Sequence, residues 1–252
     1  MTGPKADVWK SASLSAKYLK GIRGAIPLAG EQIDILVRLI AAVRGDAVRG
    51  DAVNTFLDLG CGGGILGAAI LRRWPQARGV FLDFSDAMLQ AAREELSPYG
   101  EQLTFVDADY GDPAWLSSVS QGETFDVVVS GFSIHHQSDE RKQQLYDEIF
   151  DLLPPGGLFL NLEHVSSPAR WIETAFEDYF VDALHDMHRR EGSGRSREEV
   201  ADEFYRRPDK EANILAPLET QCDWLRTIGF EDVDCYFKAF ELALFGGRRP
   251  AG

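Results

Sequence analysis

Residues 56–64 read Phe-Leu-Asp-Leu-Gly-Cys-Gly-Gly-Gly, and residues 65–74 continue as ILGAAILRRW. An apolar run of strand length thus breaks into Gly60, Gly62 and Gly64 at alternate positions and then resumes with helical spacing. Glycines at such a turn let the backbone reverse sharply and let a ligand approach where any Cβ would obstruct it. A strand, a ligand-cradling turn and a helix in that order make the opening unit of a parallel sheet.

The same alternation extends outward from this unit. TFLDL (55–59), GVFLDF (79–84), LTFVDA (103–108), FDVVVSGF (125–132) and GLFLNLE (157–163) read as strands. Between them lie the helical stretches 65–74, 86–96 and 139–153, the last stopped by Pro154-Pro155-Gly156-Gly157. Strands alternating with helices imply parallel pairing and helices on both sheet faces. In 31–43, Ile33, Leu36, Val37 and Ile40 share one face of an amphipathic helix. RGDAVRGDAV (44–53) doubles a five-residue unit and stops, so it reads as a surface connector. From 168 to 210, Trp171, Ala175, Phe176, Tyr179, Phe180 and Leu184 recur at helical spacing and mark an inserted helical segment. Residues 218–228 read as a helix ended by Gly229, residues 230–247 as two strands returning to the sheet edge, and RRPAG (248–252) as a fraying tail. The expected organisation is an N-terminal helical cap (1–50), a core (51–166), a helical lid (167–216) and a C-terminal helix and hairpin completing the sheet (217–252).

Composition narrows the function classes. At 252 residues, with 44% hydrophobic and 26% charged side chains, the chain falls in the globular range and outside the disordered, collagenous and fibrous ones. Its apolar runs are far shorter than the roughly 18 residues that cross a bilayer, and the opening MTGPKADVWKSAS lacks the apolar core of a signal peptide. No membrane contact is expected. A net charge of −14 repels phosphate backbones, so nucleic acid is not the expected partner. Cys61, Cys222 and Cys235 are odd in number and form no CxxC pair, which points away from a disulfide framework or zinc knuckle and toward a reducing cytoplasm.

Two kinds of ligand use a glycine turn of this type, and charge separates them. Gly62, Gly64 and Gly67 match a GxGxxG dinucleotide fingerprint, with Asp83 lying 19 residues after Gly64 where a ribose-binding acid is expected. Asp58, however, ends the first strand beside the pocket and would face a pyrophosphate. Two like charges 4 Å apart cost about 1 kcal/mol in water and about 4 kcal/mol at an effective dielectric of 20. The same carboxylate helps to hold a ligand that carries an ammonium and a sulfonium.

Over about residues 54–163 the chain resembles the class I S-adenosylmethionine-dependent methyltransferases, whose first motif is an acid followed by three glycines at alternate positions. The resemblance implies an α/β, Rossmann-like, seven-stranded and mostly parallel sheet with an antiparallel C-terminal hairpin and a helical cap. It also implies S-adenosyl-L-methionine as cofactor. Asp58 would contact the amino-acid moiety, with Gly60, Cys61 and Gly62 lining the turn. Asp83 would accept from the ribose hydroxyls, Phe84 and Met88 would lie near the adenine, and Asp107 with Ala108 would face the adenine edge. Ser130 and Gly131 match the cofactor-facing stretch of the fourth motif. Trp9, Tyr18 and the stripe from Trp171 to Phe180 are candidates to close over the cofactor, with Trp171 and Tyr179 as candidate substrate contacts.

Methyl transfer is an in-line displacement in which positioning supplies most of the acceleration. A base is needed only where the nucleophile carries a proton, and histidine suits that task. In an extended segment His135 and His136 point to opposite sides, so one of them is expected to face the acceptor, and His135 is favoured. His185 and His188 with Asp182 have metal-ligand spacing, but exposed charged helices produce it by chance, and no metal is expected. The run 184–200 and 205–247 resembles the carboxyl half of the carboxy-S-adenosylmethionine synthase family, which acts in tRNA modification. That resemblance implies Arg206, thirteen residues before Glu219, as a carboxylate clamp. The family's asparagine at the end of the fourth strand corresponds to Gly131, and its N-terminal tyrosine falls near Ala29. Between Arg189 and Lys210 seven basic residues face six acidic ones, a net of +1 that makes no phosphate-binding stripe. The expected function is methyl transfer to an oxygen, nitrogen or carbon of a small molecule. The alternatives are a carboxy-cofactor synthase, an RNA methyltransferase and a cofactor-binding module without turnover. The apolar helical stripe also leaves room for a homodimer.

Overall fold

A computed structural model describes residues 25–44, 53–119, 122–207, 210 and 212–252. Seven strands form one sheet: β1 (Thr55–Leu59), β2 (Arg78–Asp83), β3 (Leu103–Asp107), β4 (Val127–Gly131), β5 (Leu158–His164), β6 (Glu231–Ala239) and β7 (Leu242–Arg248). Their spatial order is β3-β2-β1-β4-β5-β7-β6. β1 to β5 pair parallel with one another, and β7 runs antiparallel to both β5 and β6. The helices are α1 (Ala29–Arg44), α2 (Ile65–Arg73), α3 (Asp86–Glu95), α4 (Asp139–Leu152), α5 (Arg170–Arg190), α6 (Arg197–Tyr205) and α7 (Leu218–Ile228).

The chain lays β2 and β3 down on one side of β1 and then crosses to β4 and β5 on the other. Strand order therefore reverses between β1 and β4. Loops leaving the two strands diverge there and open a crevice at the carboxyl ends.

Alternating side chains of the strands feed two cores. Leu57, Leu59, Val128 and Phe159 pack with Leu145 and Ile149 of α4 and Leu225 of α7. Phe56, Phe81, Val127, Val129 and Leu160 pack on the other face with Leu36, Ile40, Leu66 and Leu89. A third, separate cluster, made of Val181, Leu184, Met187, Val200 and Phe204, joins α5 to α6. Ala25, ahead of α1, is buried in the same cluster.

Within the region 1–50 expected as an N-terminal cap, α1 contributes fully buried Leu36 and Ile40 to the core cluster that also holds strand residues Val127, Leu158 and Leu160. The tail, expected to fray, does not fray at its start. The Arg249 backbone N–H donates to Gly157 O at 2.9 Å, and its guanidinium donates to Phe150 O (3.1 Å) and Leu153 O (2.6 Å). The same guanidinium lies 4.8 Å from the centre of the Phe150 ring. Phe150 O also accepts the Leu153 N–H at 3.3 Å, and Leu153 is the residue that ends α4, so a cation just past the last strand sits on the C-terminal carbonyls of that helix. Arg249→Ala should lower stability by about 1–2 kcal/mol, read as a lower denaturant midpoint at constant slope; an unchanged midpoint would show that the tail is idle.

Candidate functional site

The crevice begins at the glycine turn. Gly60, Gly62 and Gly64 have φ of +66°, +52° and +77°, the left-handed region in which any Cβ is strained. At Gly60 a Cβ would lie 1.9 Å from Ser133 Oγ, so the loop after β4 sits directly on the turn after β1. Two buried carboxylates brace this turn. Asp58 Oδ2 accepts the Gly67 N–H at 2.9 Å, in the first turn of α2, where a helix N-terminus favours an anion. Asp83 Oδ2 accepts the Gly62 N–H and Oδ1 the Ser85 N–H, both at 2.9 Å. Burial, with Asp107 adding to it, pushes the Asp83 carboxyl above the usual range. The amides of Gly62 and Gly67 that a pyrophosphate would use are thus engaged by anions. The dinucleotide reading of this turn fails on donors as well as on charge.

The other predicted cofactor residues line up along the strand ends. Phe84 is half-buried and Met88 buried beyond β2, while exposed Asp107 and half-buried Ala108 end β3. Gly131 ends β4. Two side chains turn inward instead. Cys61 is buried among the residues of the α1/α2 core, and fully buried Ser130 donates to Leu59 O at 2.8 Å, stitching β4 to β1. Tyr18 and Trp9 lie outside the described residues.

Across the crevice the segment expected to be extended is a tight 3-10 turn, Ile134–His136. Phe132, with φ +51°, breaks the strand direction just before it. The rings of His135 and His136 are therefore 4.0 Å apart rather than on opposite sides. His135 is 6% exposed, and its Nδ1 lies 2.5 Å from Oε1 of Glu163, the penultimate residue of β5. Burial, with His164, Lys142 and Arg207 nearby, holds His135 well below the usual histidine range. Burial pushes Glu163 up to about 7. His136 is half-buried, and its Nδ1 donates to Ala212 O at 3.2 Å.

Sequence reasoning missed this acid and its surroundings. Glu163 Oε1 also accepts the His164 N–H (2.8 Å), and His164 Nε2 pairs with Glu241 at 2.9 Å. Buried Tyr110 hydrogen-bonds Ser133 Oγ at 2.6 Å, over Gly60. The available signal was an acid closing an apolar strand, GLFLNLEH, at the carboxyl end where the crevice lies.

The insertion contributes differently from expectation. Arg206 is 79% exposed and paired with Asp202 one turn earlier, so it clamps nothing in the crevice. Its neighbour Arg207 stacks 4.1 Å over Phe204 and bears on the charge of His135. Trp171 is 72% exposed on the first turn of α5, and the Tyr179 ring packs 5.8 Å from Phe240 at the hairpin turn. Asp182 is engaged by Arg197 at 2.6 Å, away from a role with His185 and His188. Among the described residues no group of three or more His, Cys, Asp or Glu could hold a metal, and no helix is long and apolar enough to cross a membrane.

Residues 56–157 match the family model described as a methyltransferase domain. A carboxy-S-adenosyl-L-methionine synthase from Shewanella halifaxensis is 28% identical over 230 residues, covering 88% of this chain and 84% of the relative. A demethylmenaquinone methyltransferase from Leptospira interrogans is 32% identical over 124 residues, 49% of this chain and 48% of the relative. Human N-acetylserotonin methyltransferase in complex with SAM superimposes with a TM-score of 0.61 at 14% identity, over 99% of this chain and 60% of that one. An S-adenosyl-L-methionine-dependent methyltransferase structure from Methanococcus maripaludis, itself assigned only provisionally, gives 0.58 at 16% identity, over 96% and 93%. This chain spans 59% of an O-methyltransferase family protein from Burkholderia thailandensis with the same fold. Strand order and the braced glycine turn agree with the match of residues 56–157 to a methyltransferase domain, and the fold is that of the class I S-adenosylmethionine-dependent methyltransferases.

Proposed function

We propose that the chain transfers a methyl group to a small-molecule acceptor seated between the glycine turn and the 134–136 turn. The observation that carries this reading is the contact of Ser133 with Gly60, which holds the histidine turn against the cofactor turn. The donor set fits S-adenosylmethionine. Asp83 keeps acceptor capacity for ribose hydroxyls beside its two backbone partners, and Phe84 and Met88 offer apolar surface for the adenine. Asp107 and Ala108 would face the adenine edge, Asp58 would favour the cationic amino-acid end, and Gly60, Cys61, Gly62 and Gly131 would let backbone approach it. When bound, the cofactor supplies an electrophilic methyl on a sulfonium.

The acceptor's proton is assigned to His136 rather than His135. A carbonyl only accepts, so the bond from His136 Nδ1 to Ala212 O fixes the ring hydrogen on Nδ1 and leaves the lone pair of the neutral ring on Nε2. His135, sealed against Glu163, positions the turn. A small acceptor is supported by the half-buried position of His136 and by a relative named for acting on demethylmenaquinone. The synthase reading is favoured by the 28% identity over most of the chain and weakened by the solvent-facing position of Arg206.

Asp83→Asn should weaken S-adenosylmethionine binding by about 10-fold or more, as loss of a charge-assisted acceptor implies, in titration calorimetry. A dissociation constant within twofold of the parent would remove Asp83 from the site. His136→Gln should lower kcat by about 100-fold once an acceptor is in hand; an unaltered kcat would mean that no base, or another one, serves the reaction.

A further inference from the structure

Lys142, near the start of α4, is fully buried, and the methyl-transfer reading gives it no task. Lysine is among the residues least often buried completely, because its ammonium gives up strong hydration. Asp139 Oδ1 accepts from Nζ at 2.7 Å and offsets part of that loss, yet the Asp139 side chain is itself 48% exposed. The second acceptor is the backbone carbonyl of Ile214, a residue 43% exposed. Both partners belong to residues that reach solvent, so neither is stranded without the lysine. Replacing a buried ion pair by apolar side chains of like volume is often neutral or stabilising. Stability is therefore a weak reason for an ammonium at this point, and what it holds in place is a stronger one.

Ile214 lies in a strap, residues 212–216, that joins the inserted helices to α7 and runs along the histidine turn. Three bonds fasten it there. Ala212 O takes the Nδ1 hydrogen of His136 at 3.2 Å, the Ile214 N–H donates to His135 O at 2.8 Å, and Ile214 O accepts from Lys142 Nζ. The first two run to the turn itself, so they let turn and strap move together. The third ties the strap to α4, whose Leu145 and Ile149 are packed into the core against the sheet. At the far end Ala216 O accepts from the Ser166 N–H (3.1 Å) and from Gln221 Nε2 (3.2 Å).

We propose that Lys142 is a positioning residue for methyl transfer: by holding Ile214 O it seats the strap where Ala212 O receives the Nδ1 hydrogen of His136. The inference rests on the reading of His136 as the proton acceptor. In a neutral imidazole one nitrogen carries the hydrogen and the other the lone pair, and the hydrogen goes where an acceptor is offered. With Ala212 O in place that nitrogen is Nδ1, and Nε2 keeps the lone pair that takes the proton. A strap released from Lys142 drifts from the ring. Nδ1 then loses its acceptor, the hydrogen redistributes to Nε2, and the ring presents a donor where a base is required. Lys142 thus acts on the reaction through the strap, two residues of backbone away from the carbonyl that sets the tautomer.

The test compares the parent, Lys142→Met and Asp139→Asn as whole chains. Methionine keeps the length and apolar stem of the lysine and deletes its donors, whereas asparagine keeps an acceptor for Lys142 and leaves its bond to Ile214 O in place. In 15N imidazole spectra at about pH 8.5, where an ordinary histidine is neutral, His136 should stand in the Nδ1–H form in the parent and in Asp139→Asn. In Lys142→Met the ratio of Nδ1–H to Nε2–H should fall about tenfold, the equilibrium equivalent of one hydrogen bond, and the Ile214 amide should exchange about tenfold faster. With an acceptor in hand, kcat should fall about tenfold in Lys142→Met while the dissociation constant for S-adenosylmethionine stays within about twofold of the parent. A parent-like tautomer in Lys142→Met, or a change in Asp139→Asn as large as in Lys142→Met, would overturn the proposal. An Nε2–H ring in the parent would do so without any variant. The spectra need no acceptor, so absence of methyl transfer by the parent would sink the reaction reading and leave the seating of His136 by Lys142 standing.

Discussion

Three left-handed glycines at alternate positions cannot hold their own shape, and the crevice depends on what braces them. Here the brace is a pair of buried carboxylates. Asp58 anchors the start of α2 through Gly67, and Asp83 anchors the middle of the turn through Gly62. Each satisfies a backbone donor that would otherwise be orphaned at a helix start or loop. The same placement makes the turn anionic, so the ligand suited to it is cationic at one end and rich in hydroxyl donors at the other. Architecture and ligand choice come from one set of contacts.

The opposite wall is built around a second buried acid. Glu163 gathers the N–H groups of His135 and His164 and the ring of His135, and the strap 212–216 closes over the result. The inserted helices are thereby tied to the histidine turn by polar bonds of the strap, while Phe176 and Tyr179 of α5 lay their rings against His164 and Phe240. An appended unit linked in this way can vary in sequence without disturbing the sheet, while still reaching the reacting groups.

Much of the fold could be read because the hydrophobic period changes visibly from strand to helix, and because Asp58 and Asp83 each close a strand beside the glycine turn. What escaped reading depends on pairings across long stretches of chain. Glu163 meets His135, 28 residues away, only because β5 lies beside β4. Arg249 looked like a loose end because its carbonyl partners are about a hundred residues earlier. The left-handed Phe132 carries no glycine to announce it, so the histidine turn read as extended. One residue of helical phase separates solvent-facing Arg206 from Arg207 over Phe204, and counting from a distant motif does not fix that phase.

The claim on which the rest stands is that the braced turn selects S-adenosylmethionine. Mass spectrometry of small molecules released from the purified, freshly denatured chain tests it directly, without any acceptor. S-adenosylmethionine or S-adenosylhomocysteine is the predicted release, and its carboxylated form would move the synthase reading to first place within the same account. NAD in the extract would contradict the account, since it would place a pyrophosphate against Asp58.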